Sequence, residues 1–142
     1  MKKRAQRRDI IRDIVRQHQV HTQKELAELL QAQGHDCTQA TISRDIADIG
    51  LLKTQGGCYV LPEDLRLHRM VAELVEDIYV AGNLVVVKTY SGGAPGVAGA
   101  IDMAGLLGSL GTVAGDNTIM IAARSPEDAL AVEESLNALR QA

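Results

Sequence analysis

The sequence predicts an α/β chain of the α+β type, with a helical N-terminal domain and a C-terminal domain built on an antiparallel sheet. Apolar residues recur at helical spacing in the first half, whereas the second half contains short β-branched runs separated by turn residues. The charge also changes: residues 1–69 hold 12 basic and 9 acidic side chains, whereas residues 70–142 hold 3 and 9. We therefore expect one domain over residues 1–62, a linker over 63–69 and a second domain over 70–142.

The first two predicted helices are amphipathic. The first spans residues 6–17, with isoleucine and valine on one face and arginine on the other. The second begins at Thr22, which forms the pattern of a capping box with Glu25 three residues later. Its apolar stripe lies over residues 26–30, and Gly34 ends the helix. The first helix ends at residue 17 and the second begins at Thr22, so the connection between them is very short.

A third helix is expected from Thr38, a capping residue, to about Ile49, where Gly50 stops it. Its isoleucines at 42, 46 and 49 fall within one narrow sector, so this side must face the other helices. The opposite face is thereby defined, and its residues are small, polar or cationic. They are Ala40, Arg44 and Ala47 at the centre, Thr41, Ser43 and Asp48 at the flanks, and Gln39 in the first turn.

A short hairpin follows the third helix, with strands at residues 51–54 and 58–61 around a Gln-Gly-Gly turn. Three helices and a hairpin predict a winged helix-turn-helix, although many small domains share this outline. The first 24 residues hold 8 basic and 2 acidic side chains, which indicates a polyanionic partner unless the run is only a solvated surface. A helix that enters the major groove needs short residues, long hydrogen-bonding side chains and hydroxyl groups. We therefore predict binding of double-stranded DNA through Gln39, Thr41, Ser43, Arg44 and Lys53.

The C-terminal half predicts the element order ββαββα. Apolar runs over residues 74–80 and 84–90 form a first hairpin, and a glycine-rich loop over 91–96 leads into a helix over 97–107. A second hairpin joins residues 110–114 and 118–123, and Pro126 opens the last helix. Both helices should cover one face of the sheet and leave the other face to a subunit partner, since so small a domain is marginally stable alone.

Few residues of this half are suited to catalysis. Asp102 and Asp116 are its only acids between Asp77 and Glu127, and no nucleophile paired with a base, no metal-ligand cluster and no phosphate-binding motif accompanies them. Asp116 fits an ordinary Gly-Asp-Asn turn and Asp102 an ordinary helix surface, so both also have purely structural interpretations. We expect no catalytic residues and no cofactor. A small enzyme that uses the two carboxylates is the weakest alternative.

The cysteines and the N-terminus indicate a reduced, cytoplasmic protein. Cys37 and Cys58 form no C-x-x-C pattern, and no apolar segment resembles a signal sequence or a membrane anchor. His35 lies close to Cys37, but a structural metal site needs about four ligands, so we predict no metal site.

The chain resembles the bacterial arginine repressors over nearly its whole length. The resemblance rests on residues 38–46 in the third helix, on Val87-Lys88-Thr89 before the glycine loop, and on residues 111–119 around Asp116. It implies a transcriptional regulator of arginine genes that binds palindromic operators as trimers paired into hexamers, with L-arginine as the effector. It also implies that Asp116 binds the arginine guanidinium group across a subunit interface and that Asp102 lies near the α-amino group.

Two residues depart from the family pattern. Asn117 stands where the family often has a second aspartate, and Pro95 stands where some members have a glutamine that contacts the ligand. Asparagine keeps an acceptor oxygen but loses a charge, and proline offers neither a polar side chain nor an N–H group. We count Asn117 among the effector-binding residues. A DNA-binding paralogue with lost or altered effector specificity remains the main alternative.

Overall fold

The computed structural model describes residues 2–141, and its contacts divide the chain into two compact units between Pro62 and Glu63. The elements of the N-terminal unit are α1 (Lys2–Gln17), α2 (Gln23–Ala32), α3 (Gln39–Ile49), β1 (Leu52–Lys53) and β2 (Tyr59–Val60). From Pro62 onward they are α4 (Pro62–Leu74), β3 (Val75–Ala81), β4 (Leu84–Thr89), α5 (Ala94–Ala104), β5 (Ser109–Ala114), β6 (Thr118–Ala123) and α6 (Pro126–Gln141). The mixed fold class predicted from the sequence is confirmed.

Caps fix the ends of α2 and α3. The Thr22 hydroxyl accepts a hydrogen bond from the Glu25 N–H at 3.1 Å, and the Thr38 hydroxyl accepts one from the Thr41 N–H at 3.2 Å. Gly50 ends α3 with a φ of 79°, in the left-handed region that favours glycine. The start and the end of the third helix are therefore encoded locally, which sets which residues its outer face presents.

The N-terminal unit has an aliphatic core to which all three helices contribute. Its buried members are Ile11, Ile14, Val15, Val20, Leu26, Leu30 and Ile42. Ile46 and Ile49 of α3 pack against this core while remaining partly exposed. β1 and β2 pair antiparallel, with Leu52 opposite Val60 and Lys53 opposite Tyr59. The three helices and the hairpin predicted from the sequence are thus confirmed.

The C-terminal unit contains a four-stranded antiparallel sheet in the order β3-β4-β6-β5. Alternate residues of the central strands are buried, including Val85 and Val87 of β4 and Ile119 and Ile121 of β6. They join one core cluster with residues of α4, α5 and α6. The helices therefore lie on one face of the sheet.

The opposite sheet face is largely apolar and open. Val86 pairs with Met120, and Met120 pairs with Val113, so these three side chains share this face. Met120 is 52% exposed and Val113 is 75% exposed. A shallow groove of about 500 Å³ lies here, lined by Leu84, Leu110, Gly111, Thr112, Val113, Met120 and Ala122.

The segment expected to be a linker is helical. Pro62 occupies the first position of α4, where its missing N–H costs nothing, and Glu63 and Asp64 follow in the first turn, where acids are favourable. Leu67 and Val71, four residues apart, are buried in the C-terminal core. Leu74, expected to be the first residue of a strand, is consequently the last residue of α4, and β3 begins at Val75.

Three further helix boundaries differ from the expectation. α1 already begins at Lys2 rather than at residue 6, because the basic side chains before residue 6 are good helix formers. α5 begins at Ala94 rather than at residue 97, with Pro95 in its first turn, where proline is tolerated. It ends at Ala104 rather than at residue 107, because Gly105 follows with a φ of 64° and caps the helix. No helix within residues 2–141 is long and apolar enough to cross a membrane.

Candidate functional site

The outer face of α3 carries the residues predicted to read DNA. Gln39, Ser43 and Arg44 are exposed, whereas Ile42 is buried on the inner side. Thr41 is half-buried, and its hydroxyl lies 2.9 Å from the hydroxyl of Thr38. The arrangement leaves an amide, a hydroxyl and a guanidinium group accessible on one helix.

Lys53 lies apart from this helix, on strand β1 of the hairpin. Its side chain is exposed, and its Nζ atom lies 4.9 Å from the centre of the Tyr59 ring on the paired strand. A cation over an aromatic ring is held electrostatically while it remains accessible to solvent. The hairpin therefore presents a positive charge, as a wing that contacts a phosphate would require.

The structure also reveals an ion-pair network between α1 and α3 that sequence reasoning missed. Asp45 of α3 is only 1% exposed, and Arg7 of α1 donates to its two oxygens, from Nε at 2.5 Å and from Nη2 at 3.1 Å. Asp48 accepts hydrogen bonds from Arg4 at 2.6 Å and from Arg8 at 2.5 Å. Three of the arginines that suggested a free basic run therefore bind carboxylates of the proposed reading helix.

The hydrogen bond to Asp45 raises the pKa of Arg7, although partial burial opposes the rise. The charge of Asp45 raises this pKa further. Arg7 therefore stays charged, so the ion pair persists wherever Asp45 is ionised. A sequence signal for the pair exists, because Asp45 lies only about 60° around the helix from Ile42, at the edge of the buried sector.

Asp116 lies at the tip of the β5–β6 hairpin and faces the glycine-rich loop. Its backbone carbonyl accepts a hydrogen bond from the Ala94 N–H at 3.1 Å, at the start of α5. One carboxylate oxygen accepts a hydrogen bond from the Ser91 hydroxyl at 3.1 Å. The side chain is exposed, so its remaining acceptor positions are open to a ligand.

Asn117 is also exposed but is held by its neighbours. Its side-chain oxygen accepts a hydrogen bond from the Thr118 hydroxyl at 3.0 Å, and Thr118 in turn accepts one from Lys88 at 2.5 Å. The Asn117 carbonyl accepts a hydrogen bond from the Thr89 N–H at 2.9 Å. Asn117, which stands where the family often has a second aspartate, thus places a fixed, uncharged side chain beside Asp116.

Asp102 lies elsewhere, on the exposed side of α5. The Thr112 hydroxyl of β5 donates a hydrogen bond to its carboxylate at 2.9 Å. Asp116 bonds to Ala94 at the start of α5, and Asp102 is eight residues further along, which corresponds to about 12 Å of helix. The two carboxylates therefore lie at different places in the domain: Asp116 at the hairpin tip beside the start of α5, and Asp102 towards the end of α5.

Among residues 2–141, no cluster of three or more side chains suited to binding a metal ion is present. Pro95 is exposed in the first turn of α5, one residue after Ala94.

The chain is similar to known proteins along nearly its whole length. Residues 1–67 match the family described as "Arginine repressor, DNA binding domain", and residues 71–138 match "Arginine repressor, C-terminal domain". The curated arginine repressor of Thermus thermophilus is 42% identical over 98% of this chain and 92% of its own length. That of Carboxydothermus hydrogenoformans is 44% identical over 89% and 91%, and that of Koribacter versatilis is 41% identical over 91% and 93%.

Proposed function

Because the chain belongs to the arginine repressor family, we propose that it regulates transcription by binding palindromic operator DNA as a homo-oligomer, with L-arginine as corepressor. The observation that carries the proposal is the outer face of α3. It presents exposed Gln39, Ser43 and Arg44 between two capped ends, in a unit that matches a DNA-binding domain.

The DNA contacts divide by chemistry. Arg44 has the fork geometry that grips guanine bidentately, and the amide of Gln39 can pair with adenine in the same way. Ser43 and Thr41 supply hydroxyl groups for phosphate or base edges, and Lys53 on the hairpin supplies a phosphate contact. Base contacts therefore come from α3, and the hairpin adds affinity that depends on salt.

Arginine recognition is assigned to Asp116, Asp102 and Asn117. A carboxylate is the preferred partner of a planar guanidinium group, and Asp116 keeps open acceptor positions at an exposed hairpin tip. Asp102 would bind the ligand's α-amino group. On the family resemblance, Asp116 reaches the ligand across a subunit interface, so that different subunits hold the two ends of one arginine. Arginine then stabilises the oligomer by mass action.

The open sheet face supports assembly. An antiparallel sheet with exposed Val113 and Met120 leaves apolar surface that a second copy can cover. We assign the oligomer as trimers paired into hexamers, on the family resemblance. The protein acts in the cytoplasm, where its DNA and its effector meet, and it uses no cofactor and catalyses no reaction.

A second function is favoured by two residues of the proposed effector site. Asn117 carries no charge and is already held by Thr118, and Pro95 offers no polar side chain to a ligand at the start of α5. A regulator with altered effector specificity would keep the same DNA-binding face and change only its ligand.

Calorimetric titration with arginine, citrulline, ornithine and lysine separates these functions. Arginine alone should bind with high affinity, because only it combines a guanidinium group with an α-amino group. Preferred binding of another of the four would establish altered specificity. Failure of every duplex from a random pool to be retained by the protein would refute a role in DNA binding.

A further inference from the structure

Asp48 is an acid on the side of α3 that we propose to read DNA, one helical turn beyond Arg44. A carboxylate close to a phosphate backbone weakens binding by like-charge repulsion. Side chains four residues apart on a helix are also neighbours, so Asp48 could form an ion pair with Arg44 and occupy its guanidinium group. Asp48 is therefore unfavourable for DNA reading on two counts unless another group neutralises it.

The structure provides that neutralisation from α1. Arg4 and Arg8, four residues apart on one face of α1, each place an Nη2 atom on the same oxygen of Asp48, at 2.6 and 2.5 Å. Within residues 2–141, Arg44 makes no hydrogen bond and no ion pair. Asp48 is thus paired with two cations from another helix rather than with its own helical neighbour.

Arg8 also lies close to a second carboxylate, that of Asp45. The Nε atom of Arg8 lies 3.7 Å from Asp45, and Asp45 is buried and bound by Arg7. Arg8 therefore spans both acids of α3. The complete cluster holds three guanidinium groups and two carboxylates, so the surface beside Arg44 carries a net positive charge.

We propose that Arg4 and Arg8 are positioning residues for the DNA-reading face: they neutralise Asp48, which otherwise repels the DNA phosphates and can pair with Arg44. This inference rests on the proposed function, since it assumes that α3 reads DNA.

The two effects of an unneutralised Asp48 differ in size. Arginine before aspartate is the weaker order for a helical pair, so capture of Arg44 reduces affinity only about twofold. Repulsion between Asp48 and the DNA phosphates is larger, and we expect about a tenfold loss from it. Replacing both arginines should therefore weaken operator binding about tenfold, mostly through repulsion.

The rival role for Arg4 and Arg8 is direct contact with DNA phosphates. In that case their loss removes contacts that release counterions, and the slope of log affinity against log salt falls by about 0.9 for each contact. The charge of Asp48 would then be irrelevant to the loss. The two roles therefore make opposite predictions for a variant that lacks all three charges.

The test uses the full chain and a duplex selected from a random pool by the wild-type protein. Affinities and salt dependence are compared for the wild type, Arg4→Gln/Arg8→Gln, Asp48→Asn and the triple variant. We expect the double variant to bind about tenfold more weakly and the triple variant to return to within about twofold of wild type, with an unchanged salt slope. Lys2→Gln/Lys3→Gln removes the same two charges from α1 without a contact to Asp48 and measures the general charge effect.

Two outcomes would overturn the inference: a double variant that binds like the wild type, or a triple variant as weak as the double variant with a smaller salt slope. Circular dichroism reports whether each variant folds. If the double variant does not fold, Arg4→Gln alone continues the test, because the Arg4 side chain is 53% exposed. Arg4→Gln should lose less DNA affinity than the double variant, and the addition of Asp48→Asn should restore that affinity.

The inference and the proposed function fail in different ways. If the wild type selects no duplex, or if Arg44→Ala binds the selected duplex as well as wild type does, α3 does not read DNA through Arg44. If both behave as proposed and the double variant is unaffected, only the neutralising role of Arg4 and Arg8 is lost.

Discussion

Asp45 on α3 receives two hydrogen bonds from Arg7 on α1, at 2.5 and 3.1 Å, while its side chain is 1% exposed. The pair joins residues 38 positions apart and connects the reading helix to the first helix through a bidentate contact. A buried carboxylate is tolerated only when its partner satisfies it, so the orientation of α3 depends on Arg7.

Asp45→Ala should destabilise the DNA-binding domain by about 2–3 kcal/mol, because it leaves a largely covered guanidinium group without its acceptor. Asp45→Asn keeps one acceptor oxygen and should cost less. Urea unfolding of a fragment of residues 1–62, followed by circular dichroism, measures both. Asp48→Ala, at a more exposed site on the same helix, is the matched control. Equal stability of Asp45→Ala and wild type would show that the pair contributes no net stability.

The sequence was most informative where structure is encoded locally. Thr22, Thr38 and Gly50 mark helix ends through their own side-chain or backbone chemistry, and the apolar runs over residues 84–90 and 118–123, bounded by turn residues, predict strands. These features need only neighbours within a few residues, so periodicity and capping rules predict them.

Features that depend on distant partners were not predicted. The pairing of Arg7 with Asp45 arises only once α1 and α3 pack together, and composition alone suggested a free basic run instead. Residues 63–69 looked like a linker because they are polar, but Leu67 and Val71 gain burial in the C-terminal core and make the segment helical. The roles of all the proposed site residues stay predictions, because they require DNA or arginine to be tested. These residues are Gln39, Thr41, Ser43, Arg44, Lys53, Asp102, Asp116 and Asn117.

Arg44→Ala should abolish discrimination of the selected operator and leave the oligomer intact, because Arg44 is exposed on α3 and contributes to no core. Loss of one bidentate base contact reduces discrimination by about 1–3 kcal/mol at each half-site. Arg44→Lys is the matched control: it keeps the charge and loses the fork, so nonspecific binding should persist without selectivity. Mobility shift assays with specific and scrambled duplexes measure this, and full selectivity in Arg44→Ala would reject the assignment.

The C-terminal unit should assemble without the DNA-binding domain. A fragment that begins at Pro62 retains the whole of α4, including Leu67 and Val71, which are part of this unit's core. We expect trimers or hexamers at micromolar concentration in light scattering. A fragment that begins at residue 72 lacks both buried side chains and should be less stable, and a strictly monomeric longer fragment would contradict the proposed assembly.

Met120→Lys should weaken or dissociate the oligomer, because it places a charge on the open sheet face beside Val86 and Val113. Met120 is 52% exposed in the single chain, so the fold of the subunit itself should survive. Leu130→Lys is the control, since Leu130 is 57% exposed on α6 and lies outside the sheet. Sedimentation velocity distinguishes the two variants. An unchanged sedimentation coefficient for Met120→Lys would place the subunit contact elsewhere.

Asp116→Asn should remove the arginine response while sparing weak DNA binding without effector. Asparagine preserves the size of the side chain, is well tolerated in the turn and can still accept the Ser91 hydroxyl bond, so the hairpin should keep its form. Only the charge is deleted. If Asp116 binds the guanidinium group, loss of one partner of a charge-assisted contact costs about 2–5 kcal/mol, which is about 30-fold or more in affinity.

Calorimetric titration of both proteins with arginine measures this loss, and light scattering in parallel reports whether arginine still stabilises the oligomer. Glu134→Gln deletes an equal charge from an exposed position on α6 and should bind arginine like the wild type. Asn117→Asp tests the same site in the opposite direction, since a second carboxylate beside Asp116 should strengthen binding of a cationic ligand. Equal arginine affinities in wild type and Asp116→Asn would reduce Asp116 to a turn residue, because a carboxylate that holds a guanidinium group cannot lose its charge without loss of affinity.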